Sequence, residues 1–301
     1  MPSQRSSLTY NVVALLLLTI SATMLTDFTH RMLGADPDSV GILSVSVQAF
    51  FTVAASSTFT KAGWAWVESA LGLVSKDMQS KALWRLRLTA GLFLITATVW
   101  LFLPYTLAQY YNAKGHNLEN GTPPDPAAAL RYYQRAIALD PELGFIYLNL
   151  GEVFEKFYRY DDAAEQYRKA IVANHTDPTP YNNLARVLLL NGKALTALTI
   201  TDDALGLGPA ANRNASPALL KNGAWAEYEL GFYREAIDDA TTSNTAAGDC
   251  VLGQIYTKLG KTVEARSSWK KFIQQNASST GTEPVVEPDC ILLAEDSNEV
   301  K

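Results

Sequence analysis

Cysteine is nearly absent: Cys250 and Cys290 are the only two among 301 residues. That excludes a framework of several disulfides and a cysteine-built zinc site. Three histidines, His30, His116 and His175, leave little for imidazole-centred chemistry. There is no excess of positive charge either, with 25 Lys and Arg against 30 Asp and Glu and a net charge of −5. A nucleic-acid binder needs a basic face, so that class is set aside. Gly-x-Gly-x-x-Gly, Gly-x-Ser-x-Gly and His-Glu-x-x-His are all missing. Leu259-Gly260-Lys261-Thr262 ends like a phosphate-binding loop, but the glycine expected at 255 is Ile255. Asp161-Asp162, Asp202-Asp203 and Asp238-Asp239 read as solvated charge at turns and on helix faces. The chain therefore reads as non-enzymatic, with no metal or cofactor implied.

What is present divides the chain near residue 110. Residues 1–110 hold seven bases and five acids, and the remaining 191 residues hold 18 bases and 25 acids. Three uncharged runs lie in the first part: Ser6 to Thr26, Ser39 to Thr60, and Leu88 to Ala113, of 21, 22 and 26 residues. A spanning helix needs about 20 mainly apolar residues. The first run, centred on Leu15-Leu16-Leu17-Leu18, predicts a span over 8–28. A cleaved signal peptide is its rival, although later spans favour a retained anchor. The third run predicts a span over 88–104 that stops at Pro104, with Trp100, Tyr105, Tyr110 and Tyr111 suited to the headgroup layer. A soluble three-helix bundle fails on this third run, which has no charged face to show to water.

The middle run predicts a less apolar span over 40–60. Its polar residues recur every fourth position, at Ser44, Gln48, Thr52, Ser56 and Thr60, which makes one stripe along a helix. Such a stripe must face another helix or water. Helix-packing contacts, a water path lined by several copies of the chain, and a re-entrant or surface-lying helix all remain open. Residues 62–87, with Trp64, Trp66, Trp84, Lys76, Lys81, Arg85 and Arg87, suit an interfacial helix. Those four bases precede the third span, whereas Lys114 alone closely follows it. By the positive-inside rule the C-terminal part then lies on the non-cytoplasmic side; reversed insertion would make it cytoplasmic. Arg5 inside and Asp36 and Asp38 outside fit three spans. Asn-x-Ser/Thr sequons at Asn120, Asn174, Asn214 and Asn276 are glycosylation candidates only in a eukaryotic secretory setting.

From about residue 105 a long period takes over. Ala129-Tyr133-Ala136, Ala163-Tyr167-Ala170, Ala197-Thr201-Ala204, Ala236-Ala240-Ser243 and Ala265-Trp269-Phe272 share one spacing. The leading alanines are 34, 34, 39 and 29 residues apart, and the last two intervals sum to twice 34. An earlier half repeats too, as Tyr147-x2-Leu150-Gly151-x2-Phe154, Tyr181-x2-Leu184-Ala185-x2-Leu188 and Leu252-Gly253-x2-Tyr256. This resembles the tetratricopeptide repeat over residues 105–275, in four to five units, with Tyr105–Lys114 as the first helix. The fourth copy departs from the pattern at Gly223 and Ser243. The expected fold is all-α: two to three transmembrane helices within 1–104, then a solenoid of helical hairpins, then a flexible acidic tail over 276–301. Cys290-Ile291-Leu292-Leu293 is that tail's one apolar knot, suited to docking on the last helix. A Cys250–Cys290 disulfide is possible in an oxidising compartment.

Stacked hairpins bury a continuous core and leave a concave groove. Asn149, Asn183 and Asn222 each stand two residues before the small Gly or Ala of a unit, and Asn112 is the corresponding residue of the first unit. The resemblance implies a concave position for them. There they would either bracket the peptide groups of an extended ligand or tune contacts between helices. Arg186 and Trp225 sit one turn further on and are residue types favoured as interface anchors; Trp225 equally suits the core. The resulting expectation is a membrane-anchored scaffold or assembly factor that holds a protein or peptide, with the bilayer as its second partner. The alternative is an oligomeric pore or membrane-disrupting effector whose repeats sense or gate.

Overall fold

A computed structural model describes residues 2–33, 78–206 and 216–278, with single positions at 65, 69, 290 and 293. The polar stripe at Ser44, Gln48, Thr52, Ser56 and Thr60, the span over 40–60 and most of the interfacial stretch and tail lie outside the described residues. Eleven helices and no strand occur among those described. In chain order they are α1 (Pro2–Leu33), α2 (Met78–Glu119), α3 (Pro126–Leu139), α4 (Gly144–Lys156), α5 (Tyr160–Ala173), α6 (Pro178–Leu190), α7 (Ala194–Gly206), α8 (Pro217–Leu230), α9 (Tyr233–Ser243), α10 (Ala246–Lys258) and α11 (Thr262–Ser278). They fall into two compact units, Met1–Ile146 and Tyr147–Lys301.

In the first unit, α1 and α2 contain stretches long and apolar enough to cross a membrane, Leu8–Arg31 and Ala82–Glu119. Their lipid-compatible faces are open, with Leu8, Leu16, Leu94, Ile95, Leu101 and Phe102 exposed. The sequence predicts a stop at Pro104, but α2 runs through it as one helix of 42 residues. The proline removes a single N–H from the ladder, and membrane helices tolerate that loss. The residues after it, Tyr105-Thr106-Leu107-Ala108, carry no second breaker. The apolar stretch predicted to span and the first helix of the first repeat are therefore one rod. Met78–Arg87, expected as part of a separate interfacial helix, is the beginning of the same rod.

Helix starts follow local rules. Asp125 accepts from the Ala128 N–H at 2.9 Å with Pro126 at the first helical position of α3, and Asp177 and Pro178 do the same for α6 through the Thr179 N–H. These are the cap-plus-proline starts expected where the first turn's donors lack partners. In the second unit, the turn inside each hairpin closes by one device. The amides of Arg159, Lys193, Phe232 and Lys261 donate to the carbonyls of Phe154, Leu188, Glu227 and Tyr256, five residues back. The residue just before each donor takes positive φ. Three are glycines, Gly192, Gly231 and Gly260, and the fourth is Tyr158 at φ 58°. A tyrosine in that region is strained, and its ring is 80% exposed. Tyr158→Gly is therefore expected to stabilise the protein by about 1 kcal/mol, read as a raised melting temperature; an unchanged or lowered value contradicts the strain.

Small residues set the packing distance within hairpins. The Tyr133, Tyr167 and Trp269 rings lie against the backbone of Gly115, Gly151 and Gly253, where a Cβ would collide with them. Tyr133 and Tyr167 are fully buried. The irregular fourth copy still forms its hairpin, α8 and α9. Gly223 lies beside Asp239 and Thr201, and the Ser243 hydroxyl donates to the Ala240 carbonyl at 2.8 Å.

Candidate functional site

In the second unit α4, α6 and α8, the first helices of successive hairpins, carry five of the six predicted binding residues. Between α4 and α6 lies a closed polar network. Arg186 donates through Nε and Nη2 to the two carboxylate oxygens of Glu155, at 2.8 and 2.7 Å. The Tyr167 hydroxyl donates to Glu155 Oε2 at 2.8 Å. The charged partners are only 17% and 18% exposed. Two-point contact between guanidinium and carboxylate is the strongest form of ion pair. Burial alone would pull the Arg186 guanidinium down, but its hydrogen bonds and charge contact with Glu155 outweigh that and raise it. Burial first, and then Glu155, push the Tyr167 phenol far up. Arg186 is therefore held as a cation, with Glu155 occupying both prongs of its fork.

Between α6 and α8 the connection is made by amides. Asn222 Nδ2 donates to the Asn182 carbonyl at 3.0 Å and to Asn182 Oδ1 at 2.9 Å. Asn182 Nδ2 in turn donates to Asn183 Oδ1 at 3.3 Å. Asn183 and Asn222 are buried, 6% and 2% exposed. Of these two, Asn222 makes a contact between helices, and Asn183 is held by its neighbour Asn182. Asn149 remains half-buried on α4, and Asn112 is half-buried on α2 in the first unit. Trp225 is half-buried and packs on Ala224, Ala236, Ala240, Val251, Leu252 and Ile255. It is both a core contributor and a partly open ring.

Glu155 and Asn182 are the residues that reading the sequence by type passed over. A signal for the first was there. Gly115-x3-Glu119 and Gly151-x3-Glu155 precede Tyr133 and Tyr167, and in the first unit Tyr133 Oη donates to Glu119 Oε2 at 2.8 Å. In the last hairpin Thr257 takes the glutamate's place and accepts from Trp269 Nε1 at 3.3 Å. No signal distinguished Asn182 from its neighbour.

At the far end, Cys250 on α10 and Cys290 form a disulfide, both buried with Ala265, Trp269 and Phe272. The apolar knot of the tail thus does reach the last hairpin through its cysteine. Beside it Asp249 is buried, and that burial raises its carboxyl, with Lys271 pulling the other way. The unfolded chain releases this proton first, so stability falls as pH rises above about 4 and levels off beyond the folded group's higher value. Asp249→Asn is expected to flatten that slope in pH-dependent thermal melts. A slope that persists unchanged assigns it to another group. Among the described residues no cluster of three His, Cys, Asp or Glu is placed to hold a metal.

Residues 166–199, from the middle of α5 to the middle of α7, match the tetratricopeptide repeat family model. The chain carries tetratricopeptide repeats. Among solved structures, the crystal structure of PilW, described as a widely conserved type IV pilus biogenesis factor, is 16% identical. It matches 64% of this chain and 86% of its own, with a TM-score of 0.52. That likeness shows the fold. YrrB, described as a tetratricopeptide protein with an unusual peptide-binding site, is 19% identical over 68% of this chain and 97% of its own, at 0.48. A thermophilic tetratricopeptide protein of Thermus thermophilus is 17% identical over 64% of this chain and all of its own, also at 0.48. No curated protein matches the chain significantly.

Proposed function

We propose that the protein is a membrane-anchored scaffold that holds a partner protein or peptide on the face formed by α4, α6 and α8. The observation that carries this reading is the bonding of these three helices side by side, through Glu155 with Arg186 and Asn182 with Asn222. That bonding fixes a polar face in advance, and a preorganised face loses less entropy when it binds. Glu152 and Trp225 stand half-buried within one turn of the bonded residues, and Asn149, also half-buried, lies one turn before Glu152. An amide, a carboxylate and an indole together suit mixed polar and apolar contact with a peptide rather than capture of a single charge. The anchor is α1 and α2, and the lipid bilayer is the second partner.

Sidedness has two independent supports. The bases before the span favour a cytoplasmic start for α2. A Cys250–Cys290 disulfide suits an oxidising compartment, which favours the opposite side for the repeats. The function is tested with a photo-crosslinking residue at position 149 or at position 172, where Val172 is 85% exposed on α5. Full-length protein is irradiated in its native membrane. A defined adduct from 149 and none from 172 is expected. Equal adducts from both, or none from 149, overturn the proposal.

A further inference from the structure

α1 and α2 touch along a seam whose register is fixed by two side-chain bonds. Thr96 Oγ1 donates to Ser21 Oγ at 3.1 Å, and Trp100 Nε1 donates to Asp27 Oδ2 at 2.8 Å. Residue numbers rise together along both helices, so the helices run parallel. The buried residues agree. Ala14, Ser21 and Phe28 recur every seven residues on α1, as Ala82, Thr89 and Thr96 do on α2. The offset of 75 between Ser21 and Thr96 also sets Ala14 beside Thr89. Seven-residue spacing with small residues at the contact is how membrane helices approach closely. At the end of the seam Arg31 bonds Asp27 at 3.0 Å and donates to the Leu139 carbonyl at the end of α3, at 3.4 Å.

Parallel pairing constrains the chain between the helices. By that offset Leu33 lies level with Ala108, thirty residues along α2 from Met78, or about 45 Å at 1.5 Å per residue. A bilayer with its headgroups is about 40–45 Å thick. Leu33 and Met78, the end of α1 and the start of α2, therefore lie on opposite sides of such a bilayer.

We infer that α1 and α2 cross the membrane in the same direction, so that the N-terminus and the repeats lie on opposite faces. This rests on the reading of α1 and α2 as spans. It also makes α1 a retained part of the anchor rather than a cleaved leader, because its seam with α2 needs both helices. A two-span hairpin anchor, which would put both termini on one face, does not fit the register.

The test uses full-length protein with an epitope tag at each end, in sealed vesicles washed with alkaline carbonate, with protease added outside. One tag protected and the other digested is expected, and detergent should release both. Ala14→Cys with Thr89→Cys should also crosslink on oxidation, read as a linked peptide pair by mass spectrometry, whereas Ala14→Cys with Leu103→Cys should not. Both tags on one face of carbonate-resistant vesicles, or linkage of the second pair instead of the first, overturns the inference and leaves the anchor standing. Release of the protein by carbonate overturns the anchor and the inference together.

Discussion

Glu155→Ala lowers stability by about 3 kcal/mol, the loss expected when one partner of a largely buried ion pair is removed and the other stays behind. Arg186 would keep a guanidinium that is only 17% exposed, with both prongs emptied, and the Tyr167 hydroxyl would lose its acceptor. For a unit of this size the melting temperature should fall by roughly 6–12 °C. Glu155→Gln keeps an acceptor but not the charge, so its loss should be intermediate. Because each hairpin leans only on its neighbours, hydrogen exchange should quicken in α4, α5 and α6 and remain unchanged in α10 and α11. A loss below about 1 kcal/mol would mean that water already screens the pair as it does at a surface.

Opening the Cys250–Cys290 disulfide, by reductant or by changing both residues to Ser, is the second large effect. The bond closes a separation of 40 residues, and in the chain-entropy account such a loop contributes about 4 kcal/mol. The effect should be local. Cys290 sits among Ala265, Trp269 and Phe272 of the last hairpin, so exchange in α10 and α11 should quicken while α5 and α6 keep their protection. Terminal repeats need a cover for their stacking face, and Cys290 packs against the last hairpin. Identical melting with and without reductant would contradict this. So would finding free thiols at both positions in protein taken directly from its membrane.

Much of this architecture was legible from spacing. The alanine and aromatic series, with its 34-residue interval, gave the hairpins from α4 onward, because only small residues let the aromatics of the second helix lie on the first. Uncharged runs likewise marked the apolar parts of α1 and α2. Proline was misleading at 104, since a missing N–H reads equally as a stop or as a tolerated gap, and what decides is the absence of any second breaker after it. The left-handed turn at Tyr158 was invisible, because its three counterparts are glycines and tyrosine carries no preference for that backbone. The asparagine row was found but its use was not. A primary amide serves a ligand or a neighbouring helix with the same atoms, and the sequence does not show that Asn222 would bond to Asn182 on the next helix. Glu155 was passed over because one carboxylate reads like another, and what marks it is that Arg186 and Tyr167 close on it from two other helices.

The central claim is that a bilayer solvates α1 and the first part of α2 while the repeats stay outside it. A photoactivatable carbene reagent that partitions into lipid tests this directly on protein in its native membrane, with labelled peptides read by mass spectrometry. Labelling concentrated in residues 8–31 and 88–104, with none in α4 to α11, is the predicted result. Unlabelled α1 and α2, or labelling spread through the repeats, would contradict it.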